Sequence, residues 1–207
     1  MGGSPSRQIL IGADFRDSAG WHKLLRKWQD VMDDYVRHTE DVPYWYNERA
    51  NVGFVAAAVW KLGGVAIEEY SIDKQSHKAK GRADLRFYIP RFEMKYSVEA
   101  KVQWPGGSTN ANAECDRLLG RAAEQIKQHT RDKGYLRMAL LFVAPDTSDY
   151  RKGKDLLREL HRLLKTADTR KQLVALYEPH GTKKVRYQEK SKTRYCPGVL
   201  LIGNLLR

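Results

Sequence analysis

Residues 81–101, GRADLRFYIPRFEMKYSVEAK, contain two runs in which apolar and polar side chains alternate. Such alternation has a period of two residues and is typical of β-strands that bury one face. The runs cover residues 82–89 and 94–103, and the PRF segment between them favours a turn. We therefore predict a β-hairpin whose apolar faces carry Ala83, Leu85, Phe87 and Ile89 on one strand and Met94, Tyr96, Val98, Ala100 and Val102 on the other.

The sequence on either side of this hairpin predicts further helices and strands. Helical spacing of apolar side chains indicates helices near residues 18–37, 44–62, 111–129 and 151–165. Apolar runs indicate strands near residues 65–72, 135–144 and 172–178, a strand or short helix at 198–206, and a basic loop at 180–195. The predicted order, α, α, β, β, β, α, β, α, β, corresponds to an α/β fold with a mixed central sheet flanked by helices. No element is predicted before residue 18.

The length and composition are those of one folded domain. The chain has 207 residues, of which 42% are apolar, and a chain of this size can bury a substantial core. No apolar run is long enough to predict a membrane span, and the first residues lack the apolar segment of a signal peptide. The two cysteines, Cys115 and Cys196, lie far apart, which gives no zinc motif and suits a reducing cytoplasm.

The charge of the chain is unevenly distributed. Residues 1–75 hold 9 Lys and Arg against 11 Asp and Glu, a net charge of −2. Residues 76–207 hold 28 against 14, a net charge of +14. A basic half of this kind favours a polyanionic partner, which is DNA, RNA or, less often, an acidic membrane surface. The alternative is a basic surface that serves only solubility.

Glu99 and Lys101 lie on the polar side of the second hairpin strand, and this arrangement has two interpretations. The ordinary one is a solvated face. In the other, a turn of three or four residues places Asp84 opposite Val98 or Glu99, with Cβ atoms about 5 Å apart. Two carboxylates at that distance repel each other, and one lysine cannot neutralise both. A divalent cation with oxygen ligands can do so.

Two other glutamates bear on this choice. Glu93 belongs to a second Glu-x-Lys, with Lys95, but the register puts Glu93 at the turn and away from Asp84. Glu48 lies four residues before Val52, on the apolar face of the second predicted helix. Either Glu48 reaches water at a frayed helix end, or it is buried and a nearby cation offsets the cost of burying its charge.

The segment from Asp84 to Lys101 resembles the motif of the PD-(D/E)XK nuclease superfamily, whose restriction-endonuclease-like fold has an αβββαβ core. That motif has an Asp on one strand and Asp/Glu-x-Lys on the next, here Asp84 and, after fourteen residues, Glu99-Ala100-Lys101. The family often carries a glutamate on the preceding helix, which Glu48 matches, whereas Ala83 stands where many members have proline. The resemblance covers a core at about 44–145, between an N-terminal helical extension at 14–40 and a C-terminal α/β extension at 150–207. All three parts belong to a single predicted nuclease domain, 1–207.

The resemblance implies a catalytic set of Glu48, Asp84, Glu99 and Lys101. It also implies that Asp84, Glu99 and the Ala100 carbonyl bind Mg²⁺ (or Mn²⁺), with Glu48 contributing directly or through water. Lys101 would orient or deprotonate the attacking water and offset developing negative charge. On the following helix, Gln125 is a candidate for supporting the site.

Candidate nucleic-acid contacts flank these residues. They are basic side chains near the first hairpin strand and in the basic C-terminal segment, and one amide beyond Lys101: Lys78, Lys80, Arg82, Arg86, Lys183, Lys184, Arg186 and Gln103. The alternative for each is a solvated surface residue. The six histidines show no metal-ligand spacing, so we interpret them as structural or exposed.

The function that these observations predict is a metal-dependent nuclease, most simply a cytoplasmic endodeoxyribonuclease. Its substrate would be DNA rather than RNA, its role restriction, defence or mobile-element maintenance, and its state a homodimer or a subunit of a larger complex. One alternative is a non-catalytic nucleic-acid-binding module of the same fold within a larger complex. Another is a structural protein whose charges form an ion-pair network, which would leave the charge asymmetry unexplained.

Overall fold

The computed structural model describes residues 7–73, 80–103, 111–129, 134–167, 170–179, 186–189 and 192–206. Within these ranges the chain contains four α-helices, which are α1 (Ser18–Thr39), α2 (Glu48–Lys61), α3 (Ala111–Lys127) and α4 (Tyr150–Thr166). The strands are β1 (Arg7–Ile11), β2 (Val65–Asp73), β3 (Lys80–Ile89), β4 (Met94–Gln103), β5 (Leu136–Val143), β6 (Gln172–Tyr177), β7 (Arg186–Glu189), β8 (Lys192–Tyr195) and β9 (Val199–Leu206). Short 3₁₀ turns cover Pro43–Trp45 and Pro90–Phe92.

Seven of these strands form one mixed sheet in the order β1-β6-β9-β5-β4-β3-β2. The β4–β5 pair is parallel, because α3 carries the chain back across the sheet between the two strands. The other neighbouring pairs in this sheet are antiparallel. The predicted fold class, α/β with a mixed central sheet flanked by helices, is therefore confirmed.

The helices cover the two faces of the sheet in pairs. Helices α1 and α2 pack on one side, the α1–α2 face, where Trp21 joins Tyr96 and Val98 of β4 in the larger core. Helices α3 and α4 pack on the other side, the α3–α4 face, where Leu119 joins Leu141 of β5. Because side chains alternate along a strand, the polar residues of β4 point toward the α3–α4 face.

The polar side of β4 is buried at Ser97, Glu99 and Gln103, although Lys95 at the start of the strand is exposed. Ser97 is 6% exposed, Glu99 is 4% exposed, and Gln103 is 9% exposed. The solvated-face interpretation of Glu99 is therefore wrong. A strand in the middle of a sheet with helices on both sides has no water-facing surface at these positions.

Two parts of the fold differ from the prediction. Strand β1, ahead of the first predicted element, pairs antiparallel with β6, and its Ile9 and Ile11 pack against the larger core. Residues predicted to be a basic loop instead contain β7 and β8, which pair with each other outside the main sheet. In both cases a short strand acquires its structure from its pairing partner, not from its own apolar pattern.

The second helix also begins later than predicted. It starts at Glu48 rather than near Tyr44, because Pro43–Trp45 forms a separate 3₁₀ turn and Asn47 caps the helix. The Asn47 side chain accepts the backbone N–H of Ala50 at 2.8 Å. Glu48 is consequently the first residue of α2, at the end of the helix that favours negative charge.

Candidate active site

Asp84 and Glu99 meet where β3 and β4 stop pairing. The register of this pair runs from Ile89↔Met94 to Leu85↔Val98, and one further step would place Asp84 opposite Glu99. At that step a side chain replaces the backbone partner, because Oδ2 of Asp84 accepts the backbone N–H of Ala100 at 2.7 Å. The register is thus one of the two that the turn length predicted, and it brings the two carboxylate-bearing residues side by side.

Lys101 lies at the centre of the cluster. Its Nζ donates to the carbonyl oxygen of Ala100 at 2.5 Å and lies 3.6 Å from Oε1 of both Glu48 and Glu99. Glu48 comes from the helix layer of the α1–α2 face, whereas the polar side of β4 faces α3. The two glutamates can reach the same ammonium because β3 no longer pairs with β4 at this level.

Buried polar groups fix the position of Glu48. Asn51, one turn further along α2, is fully buried, and its Nδ2 donates to the backbone carbonyls of Asn47 at 2.8 Å and Tyr44 at 3.2 Å. The hydroxyl of Tyr44 donates in turn to the carbonyl of Cys196 at 2.9 Å. These bonds connect the first turn of α2 to the chain before it and to the segment that precedes β9.

Burial raises the pKa of each carboxyl group of the site. Burial, together with the nearby Asp84 carboxylate, raises the pKa of Glu99 to about 8, although Lys101 partly opposes this. Burial also raises the pKa of Asp84, against the hydrogen bond from the Ala100 N–H. The pKa of Glu48 is raised by burial too, and is lowered in part by Lys101. One ammonium therefore lies near three carboxyl groups whose pKa values are all raised.

The donors of this cluster suit a hard divalent cation. They are carboxylate oxygens and one backbone carbonyl, the ligand types that Mg²⁺ prefers. Oε2 of Glu99 is buried and accepts no hydrogen bond from the residues that the structure describes, so it is available to a ligand. Within the same residues, no three His, Cys, Asp or Glu side chains are arranged to hold a metal ion by themselves. A cation here would need the Ala100 carbonyl and water to complete its coordination.

A cavity of about 250 Å³ opens beside Asp84, between the start of α2 and strand β2. It is lined by Asn47, Glu48, Arg49, Val52, Glu68, Glu69 and Asp84. Glu69 lies at the position of β2 that would face Asp84, and its φ of 47° is uncommon for a residue with a side chain. Its carboxylate pairs with Arg82 at 2.7 Å and with Arg49 at 3.2 Å.

One residue near the carboxylates, His129, was predicted to be merely structural or exposed. It is 6% exposed, and its Nε2 lies 3.7 Å from Oε2 of Glu99. A signal for it exists in the sequence, because His129 follows Ala122 and Ile126 at helical spacing, two residues beyond the end of α3. Gln125, which we predicted near the site, is exposed on that helix instead.

The predicted nucleic-acid contacts have different environments. Arg82 is exposed and paired with Glu69, and Arg86 is half-buried between two tyrosine rings. Gln103 is buried, and its Oε1 accepts from the Cys115 thiol at 3.3 Å, so the expected phosphate contact does not fit its position. Lys78, Lys183 and Lys184 lie outside the described residues, and only the backbone is described at Lys80 and Arg186.

No protein-family model, no curated protein and no solved structure matches this chain. None of the helices in the described ranges is long and apolar enough to cross a lipid bilayer. The proposals that follow therefore use the geometry of the chain's own residues.

Proposed function

We propose that this protein is a divalent-metal-dependent nuclease that hydrolyses phosphodiester bonds in DNA. The observation that carries the proposal is the position of the Lys101 ammonium, 3.6 Å from both Glu48 and Glu99, beside an Asp84 that is bonded to the Ala100 N–H. These groups come from three separate elements, α2, β3 and β4. A network of structural ion pairs would hold its carboxylates in the charged form. Here burial instead raises the pKa of Glu99 to about 8 beside Lys101, which is more typical of a functional site.

The resemblance to the PD-(D/E)XK superfamily supports this proposal. The chain carries Glu48, Asp84, Glu99 and Lys101 in the order of the motif and on the expected element types, from α2 to β4. The order α2, β2, β3, β4, α3, β5 is also that of the restriction-endonuclease-like core. We accordingly propose that α2 to β5 form such a core, with α1 and the segment from α4 to β9 as extensions.

The residues that would hold Mg²⁺ or Mn²⁺ are Asp84, Glu99 and the carbonyl of Ala100, with Glu48 beside them. When bound, the metal ion supplies Lewis acidity, which activates water and offsets negative charge on the phosphate. Lys101 is placed to orient a water molecule by hydrogen bonding from Nζ and to offset negative charge on the phosphate, because its ammonium lies between Glu48 and Glu99. The hydrogen bond from the Ala100 N–H holds the Asp84 carboxylate in position before substrate arrives.

The charge of the chain supports a nucleic-acid substrate. The positive charge belongs to residues 76–207, the part of the chain that also contains Asp84, Glu99 and Lys101. A cationic surface raises the local concentration of a polyanion and accounts for binding that weakens as salt is added.

A second candidate is a non-catalytic nucleic-acid-binding subunit of the same fold. The hydrogen bond from Lys101 to the Ala100 carbonyl favours it, since that oxygen is then engaged by an ammonium rather than offered to a metal. In this case the protein would bind DNA and leave it uncut under all metal conditions.

The test is cleavage of supercoiled plasmid in Mg²⁺, in Mn²⁺ and in EDTA, with linear DNA and RNA substrates in parallel. Wild type is compared with Asp84→Ala, Lys101→Ala and the matched control Glu93→Gln, which alters the other Glu-x-Lys at an exposed turn. We expect metal-dependent cutting that the first two variants lose and the control keeps. DNA that is shifted in a gel but never cut would identify the binding subunit, and neither cutting nor binding would overturn both proposals.

A further inference from the structure

The strand rows beside the candidate active site continue outward as a surface, here called the open sheet face, made of Val65, Ile67, Arg86, Tyr88 and Lys95, with Ser97, which is 6% exposed, at its covered edge. The register aligns Val65, Tyr88 and Lys95 in one row across β2, β3 and β4, and Ile67, Arg86 and Ser97 in the next. Extended by one step, the same register would place Glu69, Asp84 and Glu99 in the third row. Successive rows on one face of a sheet are about 6.8 Å apart.

No helix layer covers this surface among the described residues. Helix α3 packs on β4, β5 and β9, and α4 packs on β6 and β9. Val65 and Ile67, on the edge strand β2, are each 53% exposed. Exposed aliphatic side chains that adjoin one another, with aromatic and charged neighbours, mark a binding surface more often than isolated ones do.

Aromatic rings and cations are interleaved on the open sheet face. The guanidinium of Arg86 lies 4.3 Å from the ring centroid of Tyr70 and 4.8 Å from that of Tyr135. The ammonium of Lys95 lies 5.0 Å from the ring centroid of Tyr88. Rings that alternate with cations provide stacking surfaces for bases together with charges for phosphates.

The unusual backbone at Glu69 contributes to this surface. The register pairs Tyr70 with Ala83, whose side chain is buried with the α1–α2 face, so simple alternation would turn Tyr70 to that side. Glu69, with its positive φ, precedes Tyr70, and the Tyr70 ring instead covers Arg86 while its hydroxyl donates to Ser97 at 3.3 Å. The residue that faces Asp84 across the sheet thus also directs an aromatic ring onto the open sheet face.

We propose that the open sheet face binds unpaired nucleotides of the strand whose phosphate lies at Asp84 and Glu99, so that the substrate contains a single-stranded segment. This inference rests on the proposed nuclease function, whose substrate it specifies. Bases are free to stack on a protein ring only when they are not enclosed in a duplex. The open sheet face also lies next to Asp84 and Glu99. The row spacing of about 6.8 Å is a distance that one neighbouring nucleotide can span.

A second copy of this chain is a less suitable occupant. A two-fold contact centred on this face would bring Arg86 and Lys95 of one molecule toward the same cations of the other. Like charges brought together in a desolvated contact are unfavourable, whereas a polyanion neutralises them.

The experiment measures fluorescence anisotropy of a labelled 20-nucleotide single-stranded oligothymidylate and of a 20-base-pair duplex, both in EDTA so that metal-dependent cleavage cannot occur. The variants are Tyr88→Ala, Tyr88→Phe, which keeps the ring, and Lys95→Ala. Trp60→Ala is the matched control, because Trp60 is a 56% exposed aromatic residue of α2, on the opposite side of the sheet. Thermal unfolding and the molar mass in solution are recorded for every variant.

We expect Tyr88→Ala to weaken single-strand binding about tenfold or more, the loss of one base–aromatic stack, and to change duplex binding less than about twofold. Tyr88→Phe and Trp60→Ala should bind the single strand like wild type, and Lys95→Ala should lower the salt slope by about one. Equal single-strand affinity in wild type and Tyr88→Ala, or no binding by wild type, would overturn the inference. A wild-type molar mass of two chains that falls to one chain in Tyr88→Ala would also overturn the inference, because the face would then be a dimer contact.

The same measurements separate this inference from the proposed nuclease. Plasmid cleavage that requires Asp84, with single-strand affinity independent of Tyr88, would reject the open sheet face and keep the nuclease. If the protein binds single strands through Tyr88 but cuts no substrate, the proposed role of the open sheet face is supported and the nuclease proposal is rejected.

Discussion

The ammonium of Lys101 lies 3.6 Å from Oε1 of Glu99, two residues earlier on the same strand, and donates to the carbonyl of the residue between them. The carbonyl of Ala100 thus accepts a hydrogen bond from the Lys101 side chain. The N–H of the same residue donates a hydrogen bond to Asp84. If the proposed metal ion binds through the Ala100 carbonyl, it would compete with Lys101 for that oxygen, and this competition can be measured.

Lys101→Met should bind Mn²⁺ more tightly than wild type and should cleave DNA at least about 100-fold more slowly. The first effect follows because methionine fills similar space without a charge that repels the ion. The second follows because a group that orients water or stabilises charge is lost. Calorimetric Mn²⁺ titration and plasmid nicking measure the two effects, with Lys23→Met, an exposed residue of α1, as control. Weaker Mn²⁺ binding by Lys101→Met would contradict the competition.

Asp84→Asn and Asp84→Ala should differ in stability although both lose activity. Asparagine keeps an oxygen that can accept the Ala100 N–H, whereas alanine leaves that buried donor without its partner. We expect Asp84→Ala to lower the free energy of unfolding by about 1–3 kcal/mol relative to Asp84→Asn. Urea unfolding in EDTA gives this difference. Equal stability of the two variants would show that the hydrogen bond contributes little.

The stability of the metal-free protein should fall as pH rises from about 4.5 to 8. Burial raises the pKa of Glu99 from 4.5 to about 8, so in this range the folded protein keeps a proton that the unfolded chain releases. Glu99→Gln removes this dependence, because glutamine resembles the protonated form. At pH 8 in EDTA its melting temperature should exceed that of wild type, by about 2–4 °C for each kcal/mol gained.

Two measurements check this explanation of the pH dependence. Added Mg²⁺ should raise the melting temperature of wild type more at pH 8 than at pH 6, since metal binding requires ionised carboxylates. Glu93→Gln, at the exposed turn, should follow the wild-type curve in EDTA. If Glu99→Gln and wild type show the same pH dependence, Glu99 is not the group responsible.

His129→Gln should lower both Mn²⁺ affinity and cleavage by about tenfold. His129 is buried, and its Nε2 lies 3.7 Å from Oε2 of Glu99, so it restricts the orientation of that carboxylate. Groups that orient a metal ligand typically affect affinity or activity by about 10–100-fold. His22→Gln, on the exposed side of α1, is the control. A loss of stability with unchanged Mn²⁺ affinity would assign His129 a structural role only.

The sequence predicts those parts of this fold that depend on local pattern. The alternation in residues 82–89 and 94–103 is strong enough to predict both strands, and a short turn then restricts the register to two choices. Strand β1, in contrast, has five residues whose partner, β6, lies more than 160 positions away in the sequence. Pairing over such a distance leaves no local signal, which is why the first strand of the sheet was not predicted.

Within the site, the residues on the hairpin were easier to predict than those that approach from elsewhere. Asp84, Glu99 and Lys101 follow from strand alternation and register. His129 continues the spacing of the buried stripe of α3 just beyond the end of the helix, where a histidine is usually part of the core, so its closeness to Glu99 appears only in three dimensions. Gln125 lies at the edge of the same stripe, where a small rotation of the helix decides between burial and exposure.

The turn Pro90–Phe92 and Glu93 connects β3 to β4 and lies at the far end of the hairpin from Asp84 and Glu99. Inserting or deleting one residue there would shift β4 along β3 and bring the opposite set of side chains beside Asp84. Insertions in a surface turn are ordinarily tolerated, but a shifted register here would separate the carboxyl groups and would also turn the apolar side of β4 away from the larger core. The length of this loop is therefore under the same constraint as the acidic residues that it never contacts.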